Sequence, residues 1–313
     1  MNAQLAFQWQ QWKNGLLAIG LFLAVLGPVV VLGGSKSIYV DHDNNGSEDG
    51  SREHPYQNIS KALKHAKGST TVYVAKGTYK ENITLPSDVK LVGGKSNDDV
   101  VIKSDNDDKP TVTMRDDTEL NNLTISGGRH GVRVEEHAEA KIVKVVIKNS
   151  QRDGVHIDKG SRDKKEQVLI DKSVIKGSRM AGIFSEKRRL IVTNTSITGN
   201  ADGVDLVGGI KAWFADNRIL DNRGSGFKLV IDGTDFWSKN NSIRRNGREG
   251  AEINSYGGAG DIGFKKATFI DNHRYGIARI VRGTTGNFSG LLLESNRSEG
   301  NTLGNLSAPM RIR

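Results

Sequence analysis

The sequence of 313 residues contains no cysteine. Disulfide bonds, thiolate metal sites and a cysteine-linked lipid anchor are therefore excluded. Proline is scarce, with 5 residues, whereas glycine is abundant, with 37. This balance is typical of a chain that makes many tight corners between otherwise regular strands.

Charge is missing from one stretch near the start, because no charged side chain lies between Lys13 and Lys36. As a helix, the 22 residues between them would span ~30 Å of hydrocarbon. Trp9 and Trp12 precede the stretch, where aromatic residues meet a membrane interface. We therefore predict that residues 1–36 form a transmembrane helix that anchors the protein, with the rest on the extracytoplasmic face. A cleaved signal peptide, which would leave a secreted protein, is the alternative.

A short phrase recurs along the rest of the chain, in which an apolar anchor residue is followed six or seven residues later by glycine. The anchors are Ile125, Ile147, Ile175, Ile197, Ile219, Ile243 and Phe269, and the glycines are Gly131, Gly154, Gly182, Gly203, Gly226, Gly250 and Gly276. The glycines recur at intervals of 21 to 28 residues, with almost no helical pattern between them. Such a period indicates a solenoid of β-coils.

The residues around each glycine alternate as those of a strand do. An apolar residue such as Val204 follows the glycine, and a polar residue such as Asp205 usually comes next. This alternation predicts one side chain in the core and the next on the surface. Three residues after the anchor, the later coils carry asparagines that we expect to stack into an amide ladder. They are Asn200, Asn222, Asn246 and Asn272. We also expect the repeated glycine to occupy a corner with positive φ.

These phrases resemble the repeats of right-handed parallel β-helix proteins of the pectate-lyase-like superfamily, from about Ser37 to Asn301. The resemblance implies an all-β fold, a right-handed parallel β-helix. The segment from Ser37 to Gly94 closely resembles the N-terminal part of secreted members, which begins with a strand, a turn and a capping helix. Lyases, polygalacturonases, epimerases, adhesins and phage tailspikes share these features, so the repeat does not specify a reaction.

The local pattern agrees with an N-terminal capping helix. Ile59, Ala62 and Leu63 fall on one helical face, with Asn58 available as N-cap and Gly68 as a stop. Such a helix would cover the open end of the solenoid. We predict the N-terminal cap and first coils at residues 37–99, the β-helix repeats at 100–286 and a C-terminal cap at 287–313.

Asp41, Asp43, Asn45 and Gly46 imitate the start of a calcium-binding loop. The twelfth position is Arg52, where such loops carry a bidentate glutamate. A calcium site and a plain turn therefore both remain open here. We predict no other cofactor and assign no metal ligand elsewhere.

Two outward columns flank the repeated glycine, one just before it and one two residues after it. Together they place five candidate catalytic residues on one strip, and these are Asp153, His156, Asp202, Asp205 and Lys228. Carboxylates in this arrangement can act as acid, base or nucleophile in glycoside hydrolysis. A lysine beside them can serve as base in uronate elimination or neutralise a carboxylate. Arg133 and Glu252 extend the strip as predicted substrate-binding residues. The alternative is that these acidic residues only hydrate turns and that His156 is an ordinary surface histidine.

One phrase resembles a known catalytic motif. Residues 200–205, NADGVD, are similar to the Asn-Thr-Asp motif of polygalacturonases, and the resemblance implies a catalytic role for Asp202. The Asp-Asp pair of that family is absent, because Ser225 and Gly226 stand in its place. Its Gly-His-Gly and Arg-Ile-Lys motifs are absent too, as are the characteristic motifs of pectate lyases and alginate epimerases.

Trp213 and Trp237 lie 24 residues apart in a column that alternation predicts to face outward. Stacked on adjacent coils, they would bind the apolar face of a sugar ring, unless a loop or a partner covers them. Two turns, at residues 158–167 and 255–265, are longer than the others, and we expect them to form the walls of a cleft.

The net charge is +9, and most of the excess lies after residue 100. A basic groove would attract an acidic polysaccharide, although interleaved charges also fit an ordinary solvated surface. We see no nucleic-acid-binding motif and predict no nucleic-acid partner.

Two hypotheses for the function follow. The first is a membrane-anchored β-helix at the cell surface that binds polysaccharide and processes it as a lyase, hydrolase or epimerase. The second is a non-catalytic surface or adhesive solenoid.

Overall fold

The computed structural model describes residues 36–311. The transmembrane helix predicted for residues 1–36 therefore lies outside the described residues, except for its last residue. Within the described part, no helix has the length and apolar character needed to cross a membrane.

The described chain contains 31 strands, one α-helix and one short 3₁₀ helix. The first elements are β1 Lys36–Val40, α1 Ile59–His65, β2 Thr70–Val74, β3 Gly77–Lys80, β4 Ile83–Leu85, β5 Val89–Val92, β6 Val100–Lys103, β7 Val112–Met114, β8 Thr118–Asn121 and β9 Thr124–Ser126. Next come β10 Val132–Val134, β11 Ala140–Val143, β12 Val146–Lys148, β13 Val155–Ile157, the 3₁₀ helix Lys164–Glu166, β14 Gln167–Asp171, β15 Val174–Lys176, β16 Ile183–Glu186, β17 Arg189–Thr193 and β18 Ser196–Thr198. The last are β19 Val204–Val207, β20 Lys211–Ala215, β21 Arg218–Leu220, β22 Phe227–Val230, β23 Asp235–Lys239, β24 Ser242–Arg244, β25 Ala251–Ser255, β26 Asp261–Lys265, β27 Thr268–Ile270, β28 Tyr275–Val281, β29 Leu291–Glu294, β30 Arg297–Glu299 and β31 Gly304–Arg311.

From β2 onward, each strand pairs in parallel with the strand three positions later in the chain, and β1 pairs with β2, so three long sheets form. Sheet A has the order β1-β2-β5-β8-β11-β14-β17-β20-β23-β26-β29. Sheet B runs from β3 through β6 and each third strand to β30, and sheet C runs from β4 through β7 and each third strand to β31. Each coil thus adds one strand to each sheet. This is the all-β, right-handed parallel β-helix that the repeat predicts.

The apolar anchors form one column on the inner side of sheet B. Ile125, Ile147 and Ile175 are register partners in successive strands. The column continues through the remaining anchors to Phe269, and all seven side chains are fully buried. Burial of each isoleucine contributes roughly 2–3 kcal/mol. This column also fixes the register, since a slip of one residue would turn every anchor outward.

The predicted asparagine ladder is confirmed at the turn between sheets B and C. The side-chain amide of Asn200 donates to Asn222 Oδ1 at 3.1 Å, and that of Asn222 donates to Asn246 Oδ1 at 3.0 Å. The same bond links Asn246 to Asn272, and Asn272 to Asn301. These buried amides therefore satisfy one another from coil to coil.

A second ladder, which sequence reasoning missed, lies at the turn between sheets A and B. Asn217 Oδ1 accepts from the backbone N–H of Thr195 at 2.9 Å, and Asn241 Oδ1 accepts from that of Asn217 at 2.8 Å. The signal was present, because Asn217 and Asn241 each stand two residues before an anchor.

The repeated glycines do not have positive φ, contrary to our expectation. The left-handed corner lies one residue before the ladder asparagine, for example at Gly199 with φ 67° and Asp221 with φ 55°. The repeated glycine is needed for space instead. A Cβ on Gly203 would lie 2.4 Å from the carbonyl oxygen of Gly226 in the next coil. Such a contact with backbone cannot be relieved by moving a side chain.

Helix α1 occupies the predicted place but is capped differently. Asn58 precedes the helix and makes no side-chain capping bond. The Glu81 carboxylate instead accepts from the backbone N–H groups of Ile59 and Ser60 at 2.9 and 2.8 Å. Gly68 follows the helix with φ 57°, in keeping with a stop.

Asx turns shape the segment that resembles a calcium loop. Asp41 Oδ1 accepts from the N–H of Asp43 at 3.1 Å, and Asn44 Oδ1 accepts from the N–H of Gly46 at 3.0 Å.

Near the other end of the described chain, residues 287–311 fall in the segment for which we predict a C-terminal cap. They contain β29, β30 and β31, and each of these strands joins one sheet, so the coil pattern continues to Arg311.

Candidate functional site

The outer face of sheet C carries the predicted strip. Arg133, His156, Phe184, Asp205, Lys228 and Glu252 are register partners in successive strands from β10 to β25. A second column stands just before these strands: His130, Asp153, Ala181, Asp202, Ser225 and Glu249. From Asp153 onward, each carbonyl of this column accepts from the repeated glycine of the preceding coil. The structure therefore places all five predicted catalytic residues on one strip of coils about 4.8 Å apart, with the coil of Ala181 and Phe184 between Asp153 and Asp202.

Asp153 is the centre of a buried polar cluster at one end of the strip. Its Oδ2 lies 2.9 Å from His156 Nδ1 and 3.3 Å from His130 Nδ1. The His130 and His156 rings lie 4.3 Å apart, and Phe184 stacks on the other side of His156 at 4.9 Å. Burial opposes ionisation of Asp153, but its interactions with both histidines prevail and lower the pKa to about 2.

The two histidines differ in charge preference. Burial lowers the pKa of His130, which has only 6% of its surface exposed. Burial also acts on His156, but Asp153 and Asp158 outweigh it and raise the pKa of His156. Sequence reasoning missed His130 as a site residue, although it stands directly before Gly131 in the same column as Asp153.

Asp158 connects this cluster to Arg133. The Arg133 guanidinium donates to Asp158 Oδ2 from Nε at 2.9 Å and from Nη2 at 2.6 Å, and His156 Nε2 lies 3.4 Å from Asp158 Oδ1. Arg133, predicted to bind substrate, is thus held by a carboxylate. Sequence reasoning missed Asp158, yet alternation along a strand places it on the same side as His156.

Asp205 and Lys228 form the middle of the strip. Lys228 Nζ lies 3.2 Å from Asp205 Oδ2, and both side chains are partly exposed. Burial and the charges of Asp202 and Asp153 raise the pKa of Asp205, although Lys228 acts in the opposite direction. Burial lowers the pKa of Lys228, but Asp205 and the other acidic neighbours raise it more. The pair thus offers a carboxyl group that keeps its proton up to a higher pH than usual, next to an ammonium group.

Asp202 has a structural partner of its own. Its Oδ1 accepts from the backbone N–H of Ser225 in the next coil at 2.8 Å. Asp153 does the same for the N–H of Ala181 at 3.1 Å. Both acidic residues therefore join adjacent coils, whatever else they do.

Glu252, predicted to bind substrate, lies in the outward column but has only 1% of its surface exposed. Its carboxylate is enclosed by Arg248 Nη2 at 3.6 Å and Arg282 Nη2 at 3.2 Å. Sequence reasoning missed Glu249, which is equally buried and lies 3.1 Å from Arg274 Nε. A ligand on this part of the strip would therefore meet arginines first.

Arginines form a ridge along the edge where the strands of sheet C begin. Backbone hydrogen bonds stack Arg129 under Arg152 and Arg248 under Arg274, with Met180, Ala201 and Gly224 between the two pairs. Arg129, Arg152 and Arg248 are exposed. This arginine ridge places positive charge beside the acidic and histidine residues of the strip.

Trp213 and Trp237 do not belong to this face. They are register partners on the outer side of sheet A, in the outward column that alternation predicts. However, they are only 8% and 5% exposed. The Arg189 guanidinium lies 4.6 Å from the Trp213 ring centre, and Lys211 Nζ lies 5.5 Å from it. This structure thus agrees with the covered alternative, and an open aromatic platform is not formed there.

The first of the two long turns, after β13, folds along the helix over other coils. Arg162 donates to the carbonyl of Gly233 at 3.2 Å and lies 3.7 Å from Asp235. The second turn is shorter than predicted, because Ser255 and residues 261–265 belong to strands and only residues 256–260 connect them. Tyr256 in that turn is 61% exposed.

Comparisons with known proteins agree with this architecture. A family model described as the right handed beta helix region matches residues 130–290. Among solved structures, the pectate lyase Pel9A has a TM-score of 0.60 at 15% identity, covering 89% of this chain and 80% of that chain. An alginate lyase from Paenibacillus sp. str. FPU-7 has a TM-score of 0.65 at 18% identity, covering 79% and 94%. A polygalacturonase from Erwinia carotovora ssp. carotovora has a TM-score of 0.62 at 11% identity, covering 92% and 100%. At these identities the likeness shows the fold alone. No curated protein matches the sequence.

Proposed function

Because the chain belongs to the right-handed β-helix family, we propose that the outer face of sheet C binds an acidic polysaccharide and cleaves or epimerises it. The observation that carries this proposal is the Asp205–Lys228 pair, a carboxyl group with a raised pKa beside an ammonium group on an open face. The proteins with a similar fold support the same proposal, since those named above are a pectate lyase, an alginate lyase and a polygalacturonase.

The chemistry of the pair suits a sugar acid. Lys228 can neutralise the carboxylate of a uronate, which makes the proton on the adjacent carbon easier to remove. In elimination a base such as solvent water takes this proton, and the electron pair of the C–H bond forms the double bond as the glycosidic C–O bond breaks. Asp205 can donate its proton to the oxygen of the glycosidic bond as that bond breaks. Elimination, hydrolysis and epimerisation all need a proton donor or acceptor at this point, and their products distinguish them.

The arginine ridge favours an acidic polymer. Arg129 and Arg152 are exposed on the turn beside the strip, and the chain as a whole carries a net charge of +9. Arg129 and Arg152 lie on adjacent coils, and Arg248 and Arg274 form a second such pair four coils further along. Each pair of guanidinium groups would attract neighbouring carboxylates of a polyuronate.

The test incubates the purified full chain with a panel of polyuronates and neutral glycans. Three products are followed: new reducing ends, the absorbance of unsaturated uronates, and the change of sugar configuration by NMR. We expect turnover on a polyuronate, and at least about a 100-fold loss in Asp205→Asn. Asp221→Asn is the matched control, because Asp221 is an exposed carboxylate that pairs with Arg245 and belongs to neither column of the strip.

A non-catalytic surface or adhesive solenoid is the second candidate. It is favoured by Asp153 and Asp202, whose carboxylates accept from backbone N–H groups of the next coil. These acids would then serve only to join coils. Glycan binding that survives in Asp205→Asn, with no turnover of any glycan by the unchanged protein, would select this candidate.

The location of the protein is a proposal as well. We propose that residues 1–36 hold the β-helix at the extracytoplasmic face of a membrane, or release it as a secreted protein if they are cleaved, and that α1 covers the first coil. Membrane fractionation of cells that express the full chain, with N-terminal sequencing of the product, distinguishes retention from cleavage.

A further inference from the structure

Three side chains of the polar cluster converge on one point. His130, Asp153 and His156 each offer one ligand atom, and these atoms all lie within 4.8 Å of one another. Asp153 Oδ2 is 2.9 Å from His156 Nδ1 and 3.3 Å from His130 Nδ1. Ligands about 2.1 Å from a tetrahedral ion lie about 3.4 Å apart. The two distances from Asp153 Oδ2 are therefore close to the ligand spacing that such an ion requires.

His130 has a ring nitrogen without a hydrogen bond. The residue is 6% exposed, and its Nδ1 is buried and has no hydrogen-bond partner, although it points toward Asp153 at 3.3 Å. A buried polar atom without a well-formed hydrogen bond is costly, and Asp153 Oδ2 is the acceptor that lies nearest to it here. An ion between the two atoms would give this nitrogen a directed bond.

The other two ligands are oriented by neighbouring groups. Asp153 Oδ1 accepts from the backbone N–H of Ala181 at 3.1 Å, which leaves Oδ2 facing both histidines. His156 Nε2 lies 3.4 Å from Asp158 Oδ1, and Arg133 holds Asp158 from the other side. A carboxylate behind a histidine is the usual arrangement at metal sites, where it fixes the ring and its tautomer.

We propose that His130, Asp153 and His156 bind a divalent transition-metal ion, of which Zn²⁺ is the best match. Two imidazoles and one carboxylate suit zinc, whereas calcium takes six to eight oxygen ligands. The His156 side chain is 23% exposed and faces the strip. This inference is independent of the reaction on polysaccharide, because ion binding is measured without a glycan.

The first experiment measures binding of the ion itself. The full chain is stripped with a chelator and titrated with Zn²⁺, and bound zinc is counted by mass spectrometry after gel filtration. We expect one ion per chain, and at least about a 100-fold weaker affinity in His130→Ala. Asp158→Asn is expected to bind about 10- to 100-fold more weakly, since it removes only the carboxylate behind His156. A chain that retains no zinc overturns the proposal.

The control addresses the second group of possible ligands among the described residues, Asp41, His42 and Asp43. His42→Ala should bind zinc as the unchanged protein does. Loss of zinc in His42→Ala, with binding kept in His130→Ala, overturns the proposal. Because His130 is buried, its variant could fail to fold, so X-ray absorption of the zinc-loaded unchanged protein is the second measurement. Two imidazole nitrogens and a carboxylate oxygen in the first shell support the proposal, and a shell of oxygens alone contradicts it.

Discussion

At the residue scale, Asp205 differs from the other acidic groups of the strip. Asp153 and Asp202 each accept a backbone N–H of the next coil, whereas Asp205 accepts from the Lys228 ammonium. Burial and two acidic neighbours raise the pKa of Asp205, and Lys228 partly offsets them. Because the pKa of Asp205 is higher in the folded than in the unfolded state, folding is more favourable when Asp205 is protonated. The stability of the fold therefore decreases as the pH rises from the unfolded-state pKa through the folded-state pKa.

A substitution of Lys228 tests that balance of charges. In Lys228→Met the attraction that favours ionised Asp205 is lost, so we expect the pKa of Asp205 to rise further. The measurement is a ¹³C NMR titration of the Asp205 carboxyl group, assigned by its absence in Asp205→Asn. Lys176→Met is the control, because Lys176 lies on sheet B and should leave the titration unchanged. An unchanged or lower pKa in Lys228→Met would contradict the proposed role of the pair.

At the element scale, each turn of the coil is specified by a different kind of residue. The asparagine ladder joins coils through buried side-chain amides, while the repeated glycine makes room for the backbone of the next coil. The first device depends on paired hydrogen bonds and the second on packing. They should therefore respond differently to substitution by alanine.

Asn222→Ala tests the ladder. The substitution removes Asn222 Oδ1, which accepts from both the backbone N–H and the side-chain amide of Asn200, whereas Asn246 Oδ1 keeps the backbone N–H of residue 222. Buried groups without partners cost about 1–3 kcal/mol each, so we expect the free energy of unfolding to fall by roughly 3 kcal/mol. Urea denaturation measures this change. Asn45→Ala, at an exposed position, should alter it by less than about 0.5 kcal/mol. Equal effects of the two substitutions would show that the ladder does not stabilise the fold.

Gly203→Ala tests the close approach of the coils. Its Cβ would lie 2.4 Å from the carbonyl oxygen of Gly226 and 2.7 Å from Ile219 Cγ2, so the coils must separate. We expect a loss of at least about 2 kcal/mol, measured in the same way. Gly46→Ala is the control, because its Cβ would meet nothing nearer than Asn44 Oδ1 at 3.5 Å. A stable Gly203→Ala protein would contradict the spatial explanation.

The sequence predicts the elements better than the contacts between their side chains. Period and alternation were sufficient for the solenoid of β-coils, the buried anchors and the first asparagine ladder, because those features recur from coil to coil. The burial of Trp213, Trp237 and Glu252 was not predictable in this way. It depends on long side chains such as Arg189 and Arg248, whose directions are set by neighbours rather than by the repeat.

The candidate site is predictable to a similar extent. Asp153, His156, Asp202, Asp205 and Lys228 share one face because they share positions in the repeat. Asp158 and Glu249 were missed as site residues, since their importance comes in large part from partners on neighbouring coils, Arg133 and Arg274. A repeat therefore indicates where side chains stand but not which of them pair.

At the scale of the whole molecule, the β-helix arranges its charges in rows. Each coil repeats its geometry, so the arginines at equivalent turns lie in one column beside sheet C, as two pairs separated by three coils, while acidic groups and histidines occupy the next columns. A polymer with one charge per sugar could contact such rows at several coils at once. This arrangement makes ionic strength a direct test of the charge-based part of the proposal.

We expect binding of the full chain to a polyuronate to weaken roughly tenfold between low and high salt, because salt shortens the reach of exposed charges from ~10 Å at 0.1 M to ~3 Å at 1 M. Arg152→Ala should weaken binding at low salt, and its loss should shrink as salt is added. Arg218→Ala is the matched control, because Arg218 is also exposed but lies on sheet B. Calorimetric titration at several salt concentrations measures all three proteins. If the two variants lose affinity equally, or if salt has no effect, the polymer does not bind along the arginine ridge.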